Sequence, residues 1–195
     1  MQRLIILLLG IFAMTAQANT ITRDEAQIRS ALNSFSAMAD QGAYEYLGRL
    51  FAPVVTLDYT SLFGGEISST NRRDLMKQWA GFLPGFDTTF HDLDIEKVTI
   101  SGDKADALAD ITASHWLGDK GFWQVSGQYE FTLIKARDSW QIDSVKLNRL
   151  AEEGSRDILG LAPQRAEENR QQRSDLLVKL DKLPFLYGLE QQSGD

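Results

Sequence analysis

Apolar residues recur at helical spacing twice, then at strand spacing over a long second half. From Thr22 onward, Ile28, Leu32, Phe35 and Ala39 fall on one helical stripe, and Thr22 with Glu25 forms a capping box. Gly42 marks the end of that helix. A short helical turn is expected around Glu45 to Phe51, stopped by Pro53, and VVTLDY (54–59) reads as a strand. SLFGGEISS reads as a turn-rich link. A second main helix is expected from Ser69 or Thr70, carrying Leu75, Met76, Trp79 and Phe82 and stopping at Pro84-Gly85. Four strands joined by tight turns follow, at 90–100, 105–117, 122–136 and 140–150. Helices before a run of hairpins predict an α+β fold, an antiparallel twisted sheet with helices packed on one face.

Alternation also assigns faces, because successive side chains on a strand point to opposite sides. At 105–117 the odd positions are Ala105, Ala107, Ala109, Ile111, Ala113 and His115, and at 90–100 His91 shares its side with Leu93 and Ile95. The two histidines of the chain are therefore both expected to point toward the core. A face built of alanines and Gly127 is too small to fill the space under a helix layer, so a curved sheet with a cavity is expected.

Both ends differ from this middle. MQRLIILLLGIFAMTAQANT has one Arg, an apolar run from Leu4 to Met14 and an Ala16-Gln17-Ala18 site, the pattern of a secretory signal peptide cleaved after Ala18. The run is too short for a stable membrane anchor, so the mature protein is expected to carry no membrane span and to be periplasmic or secreted. After about Leu161 the chain becomes highly charged and then Leu-rich, with Pro163 suited to a helix start and Leu176, Leu177, Leu180 and Leu183 forming a narrow stripe. That extension reads as a solvated helix docking on the domain, or as a lid or homo-oligomer contact.

Composition narrows the function. The chain of 195 residues carries net charge −7, and removal of Arg3 with the leader makes it one unit more negative. Basic residues are not clustered, which disfavours nucleic-acid binding. There is no cysteine, hence no disulfide, thiolate nucleophile or thiolate metal site. Two histidines and an aspartate could hold a divalent cation, but the histidines lie on different strands without a helical pairing motif. The aromatic residues Trp79, Phe82, Phe86, Phe90, Trp116 and Trp123 could instead line a pocket for a hydrophobic small molecule, as in a non-catalytic binding module.

VVTLDYTSLFGGE, LPGFDTTFHDL, GDKADALADITASHW and GQYEFTLIKARDSWQIDSVKL resemble the SnoaL-like branch of the nuclear-transport-factor-2-like superfamily, and within it the scytalone dehydratase family. The resemblance implies a SnoaL-like cone-fold domain over 19–160, between a leader at 1–18 and a charged helical extension at 161–195. It implies a curved sheet wrapped around N-terminal helices, with a pocket in the open end. It maps a catalytic set onto Asp40, Tyr59, His91 and His115, with His115 paired to Asp40 as acid/base, Tyr59 polarising a carbonyl and His91 holding water or substrate. Tyr129, Trp79, Phe82 and Trp116 are the expected substrate contacts. Ala39, Gly127 and Tyr129 depart from the family pattern, which puts the fungal substrate in doubt. The implied activity is a cofactor-independent lyase or isomerase, dehydratase-like, acting on a small cyclic carbonyl or polyketide-like compound. Such chemistry needs a base for an acidic C–H and a donor for the developing enolate oxygen, which an Asp–His pair and a Tyr hydroxyl supply.

Overall fold

The computed structural model describes residues 21–172. The signal-peptide reading and the Leu176–Leu183 stripe lie outside the described residues. Helix α1 (Arg23–Asp40) begins as the capping box predicts, with the Thr22 hydroxyl accepting from the Glu25 amide at 3.1 Å. Its stripe of Ile28, Leu32, Phe35 and Ala39 is buried. Then come α2 (Tyr44–Gly48), β1 (Phe51–Asp58), α3 (Thr60–Phe63), β2 (Ser68–Asn71) and α4 (Arg72–Ala80). A 3-10 turn over Leu83–Gly85 leads into β3 (Thr88–Ser101), β4 (Lys104–Trp116), β5 (Phe122–Ala136), β6 (Ser139–Gly154) and α5 (Asp157–Gln172).

The six strands form one unclosed sheet in the order β2-β1-β6-β5-β4-β3. All pairings are antiparallel except β1 with β6, which is parallel, its connection running through α3, β2, α4 and β3–β5. The predicted α+β cone is thus observed, with a mixed sheet. Bulges at Glu96 in β3 and at Leu150 in β6, the latter facing Ser126 and Gly127 of β5, bend the sheet around α1. Gly127 belongs to this bend, since a Cβ there would lie 2.4 Å from the Asn148 carbonyl oxygen.

Several expected boundaries move. The short helix ends at Gly48, and Phe51 and Pro53 belong to β1 rather than to the end of that helix. Ser68–Asn71 pairs with β1 as an edge strand, so α4 starts later, capped by the Asn71 side chain accepting from the Asp74 amide at 2.9 Å. Helix α4 also stops at Ala80, and Phe82 lies in the following segment. Helix α5 starts at Asp157, whose amide donates to the Ser155 hydroxyl at 3.2 Å, so Pro163 lies inside it rather than at its start.

Phe35 anchors the core. Its ring sits edge-on to Trp79 at 5.8 Å, Phe131 at 5.5 Å and Tyr129 at 6.1 Å. Burying such a ring contributes about 1.5–3 kcal/mol. Polar ties set how α1 lies along the sheet. Asp24 accepts from Lys135 at 2.9 Å and Trp140 at 3.1 Å, and Arg29 donates to the Ile95 carbonyl at the bulge at 2.9 Å. The far end of α1 is tied to β3 through Asp40. Helix α5 packs at the same end, beside Asp40 across a shared cavity. Gly85 meets Ala162 so tightly that a Cβ would fall 2.0 Å from its carbonyl oxygen, while Arg165 and Asn169 donate to the Gly85 and Pro84 carbonyls. Among the described residues no helix is long and apolar enough to cross a membrane.

Candidate active site

A cavity of about 120 Å³ opens between α1, the inner face of β4–β6 and the segments after β1 and α4. Phe35, Trp79, Phe82, Leu83, Val125 and Leu147 make most of its wall apolar. Phe63 lines it yet is 59% exposed, which puts that ring at the mouth. The polar groups on the wall are His91, His115, Tyr59 and Tyr129.

Asp40 is the last residue of α1. A carboxylate there faces the negative end of the helix dipole, so it needs donors from elsewhere. It accepts from the Thr89 hydroxyl at 2.7 Å, the His91 amide at 2.8 Å and His91 Nδ1 at 2.5 Å. Burial pushes its pKa up, but the His91 and Thr89 hydrogen bonds outweigh burial and hold it below the usual carboxylate range. An ionised Asp40 only accepts, so His91 carries its proton on Nδ1 and leaves Nε2 as the basic nitrogen.

The resemblance implied an Asp40–His115 pair, and the structure joins Asp40 to His91 instead. Register explains the difference: His115 lies opposite Thr89 on β4, one strand further from α1. The two imidazoles remain neighbours, with ring centroids 5.4 Å apart. His115 is 4% exposed, packed against Phe86 at 4.8 Å and Trp123 at 5.0 Å. Its Nδ1 is buried with no hydrogen-bond partner among the described residues. Burial, then the neighbouring His91, pushes its pKa down to about 4, so His115 is neutral near pH 7.

Tyr59 follows β1 and opens the turn into α3, and its hydroxyl lies 3.4 Å from that of Tyr129 on β5. Burial and the neighbouring Tyr129 push the Tyr59 hydroxyl well above its ordinary value, and burial raises Tyr129 as well. Both stay protonated and able to donate. Gly64 and Gly65 follow α3 at φ +70° and +80°.

Of the expected substrate contacts, Tyr129, Trp79 and Phe82 line the cavity. Trp116 does not. It occupies an even position of β4, faces outward, is 38% exposed and packs on Phe122 at 5.4 Å. Phe35, Phe63, Leu147 and Thr89 belong to the site without having been singled out for it. Phe35 carried only a core signal, and Thr89 becomes visible only once Asp40 is placed against β3. Asp40 also lines a second cavity of about 320 Å³ with Tyr44, Asp87, Arg165 and Asn169, so it stands in the wall between an apolar space and a polar one. Among the described residues no three His, Asp or Glu side chains are grouped to hold a metal ion.

The SnoaL-like domain family matches residues 20–146, and the chain belongs to it. Among solved structures, the Kfla4162 protein of Kribbella flavida is 27% identical, with a TM-score of 0.63 over 74% of this chain and 97% of its own. A scytalone dehydratase candidate from Novosphingobium aromaticivorans is 22% identical, TM-score 0.56, over 66% of this chain and 85% of its own. A type 2 hexachlorocyclohexane dehydrochlorinase is 13% identical, TM-score 0.53, over 67% and 88%. The last two likenesses are of fold alone. No curated protein matches the chain.

Proposed function

We propose that this protein is an exported, cofactor-independent lyase or isomerase of the dehydratase type, acting on a small cyclic carbonyl compound. The observation that carries the reading is the Asp40–His91 pair on the wall of an apolar cavity, beside two buried tyrosine hydroxyls. A neutral imidazole oriented by a carboxylate is a general base near neutral pH. His91 Nε2 takes the acidic proton next to the substrate carbonyl, and Asp40 stabilises the imidazolium that forms. Tyr59, with Tyr129 beside it, donates to the oxygen as enolate charge develops. In a dehydration the electron pair moves to expel a β-hydroxyl, and the His91 imidazolium returns its proton to that leaving group as water. In an isomerisation it returns the proton to another carbon. His115, neutral and buried, packs the dyad in place. Family membership and neighbours described as dehydratase and dehydrochlorinase support elimination chemistry on this fold.

The apolar lining favours one other reading, a non-catalytic periplasmic carrier of a hydrophobic small molecule. Incubation of the full chain with cyclic β-hydroxyketones, followed by ultraviolet absorbance of the enone product, separates the two. The lyase reading expects turnover by the wild type, lost in His91→Gln with the fold and ligand binding retained. Binding with no turnover of any such ketone favours the carrier.

A further inference from the structure

The size and charge of the cavity select a substrate class. We infer that the site takes a neutral ligand with a single six-membered ring and one oxygen substituent, the oxygen held between the Tyr59 and Tyr129 hydroxyls. This rests on the reading of the cavity as the working site, and it names the substrate within it.

Volume is the first argument. An apolar cavity of about 150 Å³ admits benzene. The space within the walls here is about 120 Å³, of the order of one ring, and a second fused ring would have to reach out past Phe63 at the mouth. Charge is the second. Among the described residues no Lys, Arg, Asp or Glu is on the wall, and the Asp40 carboxylate sits behind His91. An anionic substrate would lose its hydration with no cation to replace it. The placement of polar groups is the third. Trp123 lines the cavity but its indole N–H is turned to Glu152 at 3.0 Å, so it offers the ligand no donor. The two tyrosine hydroxyls, 3.4 Å apart, have each other as partner. In that bond one hydroxyl donates and the other's proton is left free, whereas a ligand oxygen, with two lone pairs, accepts from both once the hydroxyls release each other. Tyr129 is thereby the second donor at the carbonyl, with Phe35 and Phe131 packed against its ring to hold it.

The test uses the full chain with both histidines isotopically labelled, titrated with 2-cyclohexenone, phenol, benzene, 1-tetralone and benzoate. Cyclohexenone and phenol are expected to shift both imidazole signals, and 1-tetralone and benzoate to bind at least about tenfold more weakly. Tyr129→Phe, which keeps the ring, should weaken cyclohexenone relative to benzene by about fivefold, the loss of one net hydrogen bond. The inference is overturned if the fused ring or the anion binds as tightly as cyclohexenone. It is overturned equally if Tyr129→Phe leaves the cyclohexenone-to-benzene ratio unchanged, or if no ring probe binds. Tight binding of the neutral single ring without turnover of its β-hydroxy derivative upholds this inference and sinks the lyase reading. Turnover of a fused-ring substrate does the reverse.

Discussion

Replacing His115 by Leu tests which histidine is the base, through stability and without a substrate. The His115 pKa is about 4 in the fold and 6.5 in an unconstrained chain. Between those values the unfolded chain binds a proton that the native protein does not, so stability falls as the pH is lowered. The contribution is intact above about pH 6.5, is lost through the window down to about 4, and is constant below that. From pH 7.5 to 4.5 this single group removes about 2.5 kcal/mol. Leucine fits a site walled by Phe86 and Trp123, has nothing to protonate and relieves the unpartnered Nδ1. Urea unfolding of both proteins at steps between these two pH values should show curves that diverge, the variant gaining about 2.5 kcal/mol relative to wild type. Carboxylates titrate in both and cancel in the difference. Parallel curves would mean that His115 titrates normally in the fold. It would then compete with His91 as the base, and the argument from burial would fail.

Asp40→Asn removes the charge behind His91 while keeping the shape. Turnover of any substrate found should drop by roughly 100- to 10,000-fold, and nitrogen NMR of His91 should show the loss of its single Nδ1–H tautomer. Gly85→Ala drives a methyl against the Ala162 backbone, so α5 must shift, and thermal unfolding should show a loss of about 1–3 kcal/mol together with faster proteolysis of residues 157–172. Trp116→Ala should leave cyclohexenone affinity unchanged and Trp79→Ala should weaken it, because only the second ring is on the cavity wall. Calorimetric titration of the two variants reads the contrast, and an equal loss in both would contradict the outward facing of Trp116.

Much of the fold was legible because its elements carry strong periodic signals. The alternation at 105–117 predicts the buried row from Ala105 to Ala113 and His115 residue by residue, and the capping box places the start of α1. Ser68–Asn71 was not legible. A short polar edge strand has no buried face, and its signal is the pairing with β1. The parallel contact of β1 with β6 joins segments far apart in the chain, which no local pattern reports. Family likeness brought Asp40, His91, His115 and Tyr59 to one site, and alternation placed both imidazoles on the inner side.

What neither source could decide is which imidazole Asp40 meets, because that depends on how far α1 advances along the sheet. Arg29 donates to the Ile95 carbonyl at the β3 bulge, and this fixes one point of contact. From Arg29 to Asp40 the helix rises about 16 Å. From Ile95 to Phe90 the strand covers about the same distance. Asp40 therefore comes down on residues 89–91 of the edge strand, where a hydroxyl, an amide and an imidazole meet it. His115 lies on the adjacent strand, about 4.8 Å further in, beyond the reach of a short aspartate side chain already held by three donors. A bulge and one arginine contact thus decide which histidine is paired and which is buried neutral, and neither leaves a trace in hydrophobic periodicity.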